Sequence, residues 1–315
     1  MMVERARGVR VNGLLDFTSG WLVANIGHDN PAVMRAVRKA HGWAVLDRWT
    51  NPAREEAKRA LLGTLPRVFT DLEFFSTGSE AIDVALRMAG GPVIAHPRAF
   101  HGSTIGAQSI KRVPFGGPLP SASVMVETFL GPWCEWHPPE IINRLRTHQL
   151  ARRGLLIFDE MQSGAGRTGR WWGFEHYDIT PDIVVGGKAI AGGFPLAFVA
   201  WRGDLDFQPM FASTFSGNAP CCAACAATIR EIEQRRLIEN VRDLEPMIQE
   251  AFPEAIGKGF AYAFKHPDAD AVVDRALSRG LMLLHIGRGT VKIAPPLCIS
   301  RRDLKRGLDI LKRCV

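Results

Sequence analysis

Two charged residues stand where buried strands should end. Asp159 closes the apolar run 155–158, and Lys188 follows Ile183, Val184, Val185 and two glycines. A buried, unpaired carboxylate would protonate, so Asp159 needs a cationic partner or hydrogen-bond donors. Lys188 sits behind glycines that let backbone and ligand approach closely, a place where an amine is desolvated and made nucleophilic. A third feature, "STGSEA" at 76–81, puts Gly78 and Ser79 at a helix start, where free N–H groups and the helix dipole favour a phosphate. Phosphate cradle, buried acid and buried amine together match the needs of pyridoxal 5'-phosphate. That cofactor requires an anchor for its phosphate, an anion for its ring nitrogen and a Schiff-base lysine.

These residues must be held by the elements around them. Short apolar strand candidates fall at 72–75, 92–95, 123–126, 155–158, 182–185 and 196–201, with helix-period segments such as "SEAIDVALRMA" and "PPEIINRLRTHQLARR" between them. Alternating strands and helices predict an α/β fold with a mostly parallel sheet covered on both faces. In such sheets ligands bind outside the carboxyl ends of the strands. There the sequence places Gly78 and Ser79, Glu127, Asp159 with Gln162, and Lys188. Asp159 and Lys188 are then expected at neighbouring strand ends, joined by one helical crossover. After Pro220 the pattern changes to a long helical stretch, 223–251, followed by the strand-like "GFAYAF", "LMLLHI" and "VKIAPPL" around further helices. This predicts a smaller α+β domain, which the N-terminal "GVRVNGLLDFTSG" should join because isolated strands need partners. The expected division is a large domain over 31–234 and a small one from 1–30 plus 235–315.

Composition narrows the function class. The chain has 315 residues, 46% hydrophobic and 23% charged, which is ordinary for a globular protein. Its net charge of +7 is spread over helical patterns, so the basic residues read as solvated helix faces and not as a nucleic-acid site. Apolar runs such as "PLAFVAW" are too short to cross a bilayer, and the N-terminus lacks the apolar region of a signal peptide. A soluble, cytoplasmic protein is expected, without membrane or nucleic-acid partners. "CCAAC" at 221–225 has C-x-x-C spacing but no second pair or nearby His to complete a zinc site, and it lies in an Ala-rich helical run. Reduced cysteines there read as small core residues, and no metal is expected.

The segment "FDEMQSGAGRTGRWWGFEHYDITPDIVVGGKAIAGGFPLAFV" resembles the core signature of the class-III (omega) aminotransferases, a branch of the fold-type-I pyridoxal-phosphate enzymes. The resemblance runs over nearly the whole chain, through "LLDFTSGWLVANIGHDNPAVMRAV", "FFSTGSEAIDVALRMA", "FHGSTIGAQS", "STFSGNAPCCAACAATI" and "VKIAPPLCIS". It implies Lys188 as the Schiff-base lysine, Asp159 as partner of the pyridine nitrogen and Gln162 as hydrogen-bond partner of the ring hydroxyl. It implies Phe100 stacked on the ring and Gly78 and Ser79 on the phosphate, and His101 reads as a packing residue of the cofactor site. Thr214 is similar to a residue that reaches the neighbouring subunit's cofactor, which implies a homodimer or higher homo-oligomer. Trp21 and Leu22 resemble residues lining the substrate pocket, and Arg288 is a candidate partner for a substrate carboxylate. Glu127 matches a glutamate near the cofactor, followed here by Thr128 where the family usually has Pro.

The implied activity is ping-pong transfer of an amino group from an amine or omega-amino donor to a keto acid, aldehyde or ketone, with pyridoxamine 5'-phosphate as the intermediate cofactor form. An aminomutase or decarboxylase outcome on the same cofactor is the alternative, and a non-catalytic, polyanion-binding protein is a third reading. Compression between "ALRMAGG" and "PRAFHG" and again after "AQSIKR" makes the chain an unusually short relative of this family, so a reshaped substrate channel is expected.

Overall fold

A computed structural model describes residues 3–40, 51–205 and 213–315. Its central sheet has seven strands: β1 (Phe69–Phe75), β2 (Val93–Ala95), β3 (Lys111–Arg112), β4 (Ser123–Glu127), β5 (Leu156–Asp159), β6 (Ile183–Gly186) and β7 (Ala197–Arg202). Their spatial order is β1-β7-β6-β5-β4-β2-β3. Only β7 runs against the others, pairing antiparallel with β6 and with β1. The mostly parallel α/β sheet predicted from the alternation is therefore present.

The strands read as unbroken apolar runs because both faces of the sheet are buried. Val124, Val126, Phe158, Val184 and Phe198 join one hydrophobic core. The residues between them, Met125, Ile157, Ile183, Val185 and Val199, join a second core on the opposite face. Helix Gly78–Met88 covers the second core through Ala81, Ile82 and Ala85. Helices Pro52–Leu62, Pro139–Arg152 and Ala219–Gln234 supply Leu61, Leu145 and Cys225 to the first. Cys221, Cys222 and Cys225 are buried among alanines there, and burial pushes the Cys222 thiol up to about 12.

Two helical expectations are corrected. The crossover from β5 to β6 contains no α-helix, only turns and a single 3-10 helix, Gly173–Tyr177. Glycine frequency explains this, since Gly164, Gly166, Gly169 and Gly173 fall within one short segment and Gly166 and Gly169 take positive φ. A buried carboxylate organises the segment instead. Glu160 accepts hydrogen bonds from Thr128 Oγ1 (2.7 Å), Ser163 Oγ (2.5 Å), Gly173 N (2.8 Å) and Phe174 N (2.8 Å). The expected helix over 223–251 is two helices, Ala219–Gln234 and Leu237–Ala251, separated at Arg236, which adopts φ 52°. The first packs on helices Pro31–Ala40 and Pro52–Leu62 and the second on Arg301–Lys312, so a single straight helix would not serve both contacts.

The N-terminal strands do join C-terminal ones. Strand Leu14–Asp16 pairs in parallel with Leu281–Met282 and antiparallel with Arg10–Val11. Strands Ile256–Lys258, Ala261–Lys265 and Thr290–Ile293 form a separate antiparallel sheet. Arg167 ties the β5–β6 crossover to both regions. Its guanidinium, fully buried and pushed down to about 9 by desolvation, donates to Phe260 O (3.0 Å), Pro295 O (2.5 Å) and Ser19 Oγ (3.0 Å), and also to Asn25. Among the described residues, no helix is long and apolar enough to cross a membrane.

Candidate active site

The carboxyl ends of β4, β5 and β6 lie side by side. Register pairs Glu127 with Asp159 and Asp159 with Val185, three positions before Lys188. Glu127, Asp159 and Lys188 line one cavity of about 200 Å³, together with Gly78, Ser79, Phe100, His101, Met161 and Gln162. Eight of the residues singled out in the sequence thus converge on one space.

Each wall has a local cause. Thr77 caps the helix Gly78–Met88, its Oγ1 accepting from Glu80 N (3.2 Å) while Glu80 Oε2 accepts from Thr77 N (2.9 Å). That reciprocal cap uses the Glu80 N–H and leaves those of Gly78 and Ser79 without intrahelical partners, and both residues line the cavity at the positive end of the helix dipole. The cap is therefore Thr77, the residue just before Gly78. Ser79 Oγ instead accepts from Ser103 N (3.3 Å), and a Cβ on Gly102 would fall 2.5 Å from it. Only glycine lets the Phe100–Gly102 turn approach this closely.

Asp159 is only 2% exposed and is held on both oxygens. Oδ1 accepts from Met161 N (3.0 Å), and Oδ2 pairs with His101 Nδ1 (2.8 Å). The His101 side chain is fully buried and its Nε2 has no partner among the described residues. His101, read from the sequence as a packing residue of the cofactor site, is thus the group that orients the acid. Phe100 itself is half-exposed on the cavity rim.

Burial pushes the Lys188 amine below its usual range, opposed by the Asp159 carboxylate and reinforced by the charge of Lys292. Lys188 also adopts φ 46°, rare for a residue with a side chain and a conformation found where surrounding structure imposes strain at functional positions. Just before it, Gly187 leaves room for Met161, whose Sδ would lie 2.8 Å from a Cβ at Gly187 and 2.8 Å from one at Gly78. Met161 fills the floor between the two glycines, and the sequence reading did not single it out.

Glu127 accepts from Phe100 N (3.0 Å), Gly131 N (3.3 Å) and Gln162 Nε2 (3.0 Å). Burial first, and then the neighbouring Asp159, push its carboxyl up to about 8, against the Phe100 N–H bond and the charges of Lys188 and Lys292. Thr128, which stands where proline was expected, has a use for its hydroxyl in the bond to Glu160. Lys292 is the second residue the sequence reading passed over. It is 1% exposed, and its Nζ donates to Gly131 O (2.7 Å) and to Gln162 Oε1 (3.2 Å). The signal was present, since Lys292 is a lone charge in the apolar run "VKIAPPL", as Asp159 and Lys188 are in theirs.

Four candidates lie elsewhere. Leu22 packs with Leu284 and Ala294, whereas Trp21 is exposed; both take positive φ in a left-handed turn over 19–22. Arg288 stacks its guanidinium 5.2 Å from the Trp133 ring, which carries Arg98 at 4.1 Å as well. Thr214 is exposed, in the turn before helix Ala219–Gln234. None of the four lines the cavity.

The donor set fits pyridoxal phosphate. A helix start with two free N–H groups suits its phosphate, a pre-oriented carboxylate suits a protonated ring nitrogen, and a desolvated amine suits its aldehyde. The family model described as Aminotransferase class-III matches residues 1–113 and 120–315. Acetylornithine aminotransferase of Methanosarcina mazei is 30% identical, over 99% of this chain and 91% of that protein. Their alignment runs over 364 positions, more than the 315 residues here, so this chain is internally shortened relative to that protein. LysW-aminoadipate semialdehyde/glutamate semialdehyde transaminase of Sulfolobus acidocaldarius is 27% identical over 95% of this chain and 89% of its own. Among solved structures, acetylornithine aminotransferase from Elizabethkingia anophelis superposes with a TM-score of 0.88 at 23% identity, covering 100% of this chain and 93% of that one, a likeness of fold.

Proposed function

The chain belongs to the class-III aminotransferases, pyridoxal-phosphate-dependent enzymes of fold type I, and on that premise we propose that it moves a terminal amino group from an aliphatic amino acid or amine to a keto acid in two half-reactions. The observation that carries this reading is the convergence of Asp159, Lys188 and the Gly78–Ser79 helix start on one cavity. The names of the relatives, which act on acetylornithine and on semialdehydes, favour a donor whose reacting amine ends a short aliphatic chain.

The bound cofactor supplies an electron sink for the carbon that loses its proton. In this reading Gly78 and Ser79 hold the phosphate through backbone N–H groups and the helix dipole. Asp159, fixed by His101 and Met161 N, keeps a proton on the ring nitrogen. Phe100 and Met161 bound the ring, and Gln162 donates to the ring oxygen. Lys188 would hold the cofactor through its aldehyde, and its desolvated amine would carry a proton at Nζ as general base and acid, roles that a lowered proton affinity suits. Residues 31–234 carry this machinery, while 1–30 and 235–315 form the smaller domain, from which Lys292 reaches Gln162. Thr214 and the exposed Phe215 beside it fit a second copy whose cofactor Thr214 reaches, so we assign a homodimer. Trp21 and Arg288 then act on the substrate side of the completed site.

The experiment is reconstitution with pyridoxal phosphate and assay against terminal amines and simple hydrophobic amines, with 2-oxoglutarate or pyruvate as acceptor. Parallel double-reciprocal lines and preference for terminal-amine amino acids are expected. Lys188→Ala should lose both the visible absorbance of lysine-bound cofactor and turnover; an active Lys188→Ala protein would refute the assignment.

A further inference from the structure

Lys292 comes from strand Thr290–Ile293, outside the central sheet, yet its ammonium is buried against residues of the site. It donates to Gly131 O and to Gln162 Oε1, Gln162 Nε2 donates to Glu127 Oε1, and Gly131 N donates to the same oxygen. The four bonds close a ring: Lys292, Gln162, Glu127 and Gly131. The Gln162 amide lies so close over Gly131 that a Cβ there would fall 2.0 Å from Nε2 and 2.9 Å from Oε1, so no other residue fits at 131 without displacing it.

An amide has a carbonyl face and an N–H face, and nothing intrinsic decides which one a ligand meets. Here both neighbours decide it, because a lysine offers only donors to the carbonyl, and Glu127 Oε1, which also accepts from Gly131 N, accepts from the amide nitrogen. One N–H of Gln162 is consumed by Glu127, and the residue lines the cavity, so the other is the hydrogen left for a ligand. We propose that Lys292 is a positioning residue that locks the Gln162 amide so that it meets the cofactor as a donor only, selecting the form in which the ring oxygen is an anion.

The proposal rests on the reading that Gln162 meets the ring oxygen. Lys292 faces Glu127 and Arg167 with the Cys134 thiol beside it, and Lys188 faces Asp159, Lys292 and Glu127. Removing the Lys292 charge could therefore act directly on the lysine-bound cofactor as well as through Gln162. The test is a pH titration of the absorption spectrum of the reconstituted protein, comparing wild type, Lys292→Met, Gln162→Leu, the double variant and Gly131→Ala. Without the donor the ring oxygen holds its anionic form less well, so both single variants should move the spectral midpoint up by about one pH unit. The double variant should move no further than Gln162→Leu alone. Gly131→Ala, which pushes the amide aside while leaving Lys292 in place, should reproduce the shift and keeps the proposal testable if Lys292→Met does not fold. Lys292→Met with a wild-type midpoint, additive shifts in the double variant, or an unshifted Gly131→Ala would overturn the positioning role. An unshifted Gln162→Leu would instead remove the reading of Gln162 on which it depends.

Discussion

His101→Phe removes the one side chain that holds Asp159 and little else. The histidine is completely buried, its Nδ1 lies 2.8 Å from Asp159 Oδ2, and its Nε2 has no partner among the described residues to lose. Phenylalanine keeps the ring volume, so no large cavity term enters. What remains is a carboxylate 2% exposed to water and left, among the described residues, with a single donor, Met161 N. A hydrogen bond to a charged group contributes about 1.5–3 kcal/mol, and stranding its buried partner costs toward the upper end. At about 2 kcal/mol the apo protein should melt roughly 3 °C lower, since about 2.1 cal/mol/K per residue gives about 1.5 °C per kcal/mol for 315 residues. Without the His101 bond the Oδ2 atom is no longer fixed, so the carboxylate is poorly aimed at a protonated ring nitrogen. Cofactor affinity should therefore fall at least about tenfold, which corresponds to 1.4 kcal/mol. Thermal melts of the apo protein and an equilibrium titration with pyridoxal phosphate measure the two effects separately. His101→Asn can donate from nearly the position of Nδ1 and should recover most of both. A phenylalanine variant that melts with wild type and binds cofactor as tightly would refute the claim that His101 orients the acid.

Two further outcomes follow from buried groups. Burial, with the charge of His96 next, holds His137 neutral down to about pH 4, while an unfolded histidine takes its proton near 6.5. The unfolded state therefore binds the proton first, and stability should fall as pH drops from about 6.5 to about 4, by roughly 3 kcal/mol from this one group. Urea unfolding at stepped pH reads the slope, which His137→Leu should flatten; an unchanged slope in that variant would count against the assignment. Glu160→Gln replaces an acceptor-only group, which serves two hydroxyls and two backbone N–H groups, with one that presents its own N–H groups to some of those donors. It should cost about 2–4 kcal/mol in unfolding free energy by denaturant titration and loosen the β5–β6 crossover, and a variant as stable as wild type would show that Glu160 does not organise it.

The sheet was legible in the sequence because burial on both faces writes a simple pattern. Each strand of the central sheet became a short apolar run, and Val124, Met125 and Val126 alternate between two cores without any polar residue to mark the alternation. The connections were less legible. Residues 160–182 have no apolar period because the segment is folded around a carboxylate and a guanidinium, Glu160 and Arg167, and polar hubs leave no periodic trace. The break at Arg236 was hidden for another reason, since helix propensity is continuous across it and only the different packing partners of the two helices separate them.

In the candidate site, the same distinction separates what was found from what was missed. Asp159 and Lys188 were visible because a charge at the end of an apolar strand has no stable environment in a simple core, and the sequence must supply one elsewhere. Lys292 carries the same mark, but it belongs to a strand that follows a change of pattern, so its proximity to Gln162 depends on how the C-terminal segment packs back on the sheet. Met161 was invisible for the opposite reason: a thioether between two glycines is an apolar residue in an apolar place, and only the 2.8 Å approach to both glycine positions shows that its shape matters. Trp21, Leu22 and Arg288 show the limit of local reasoning, because the cavity of one chain does not include them.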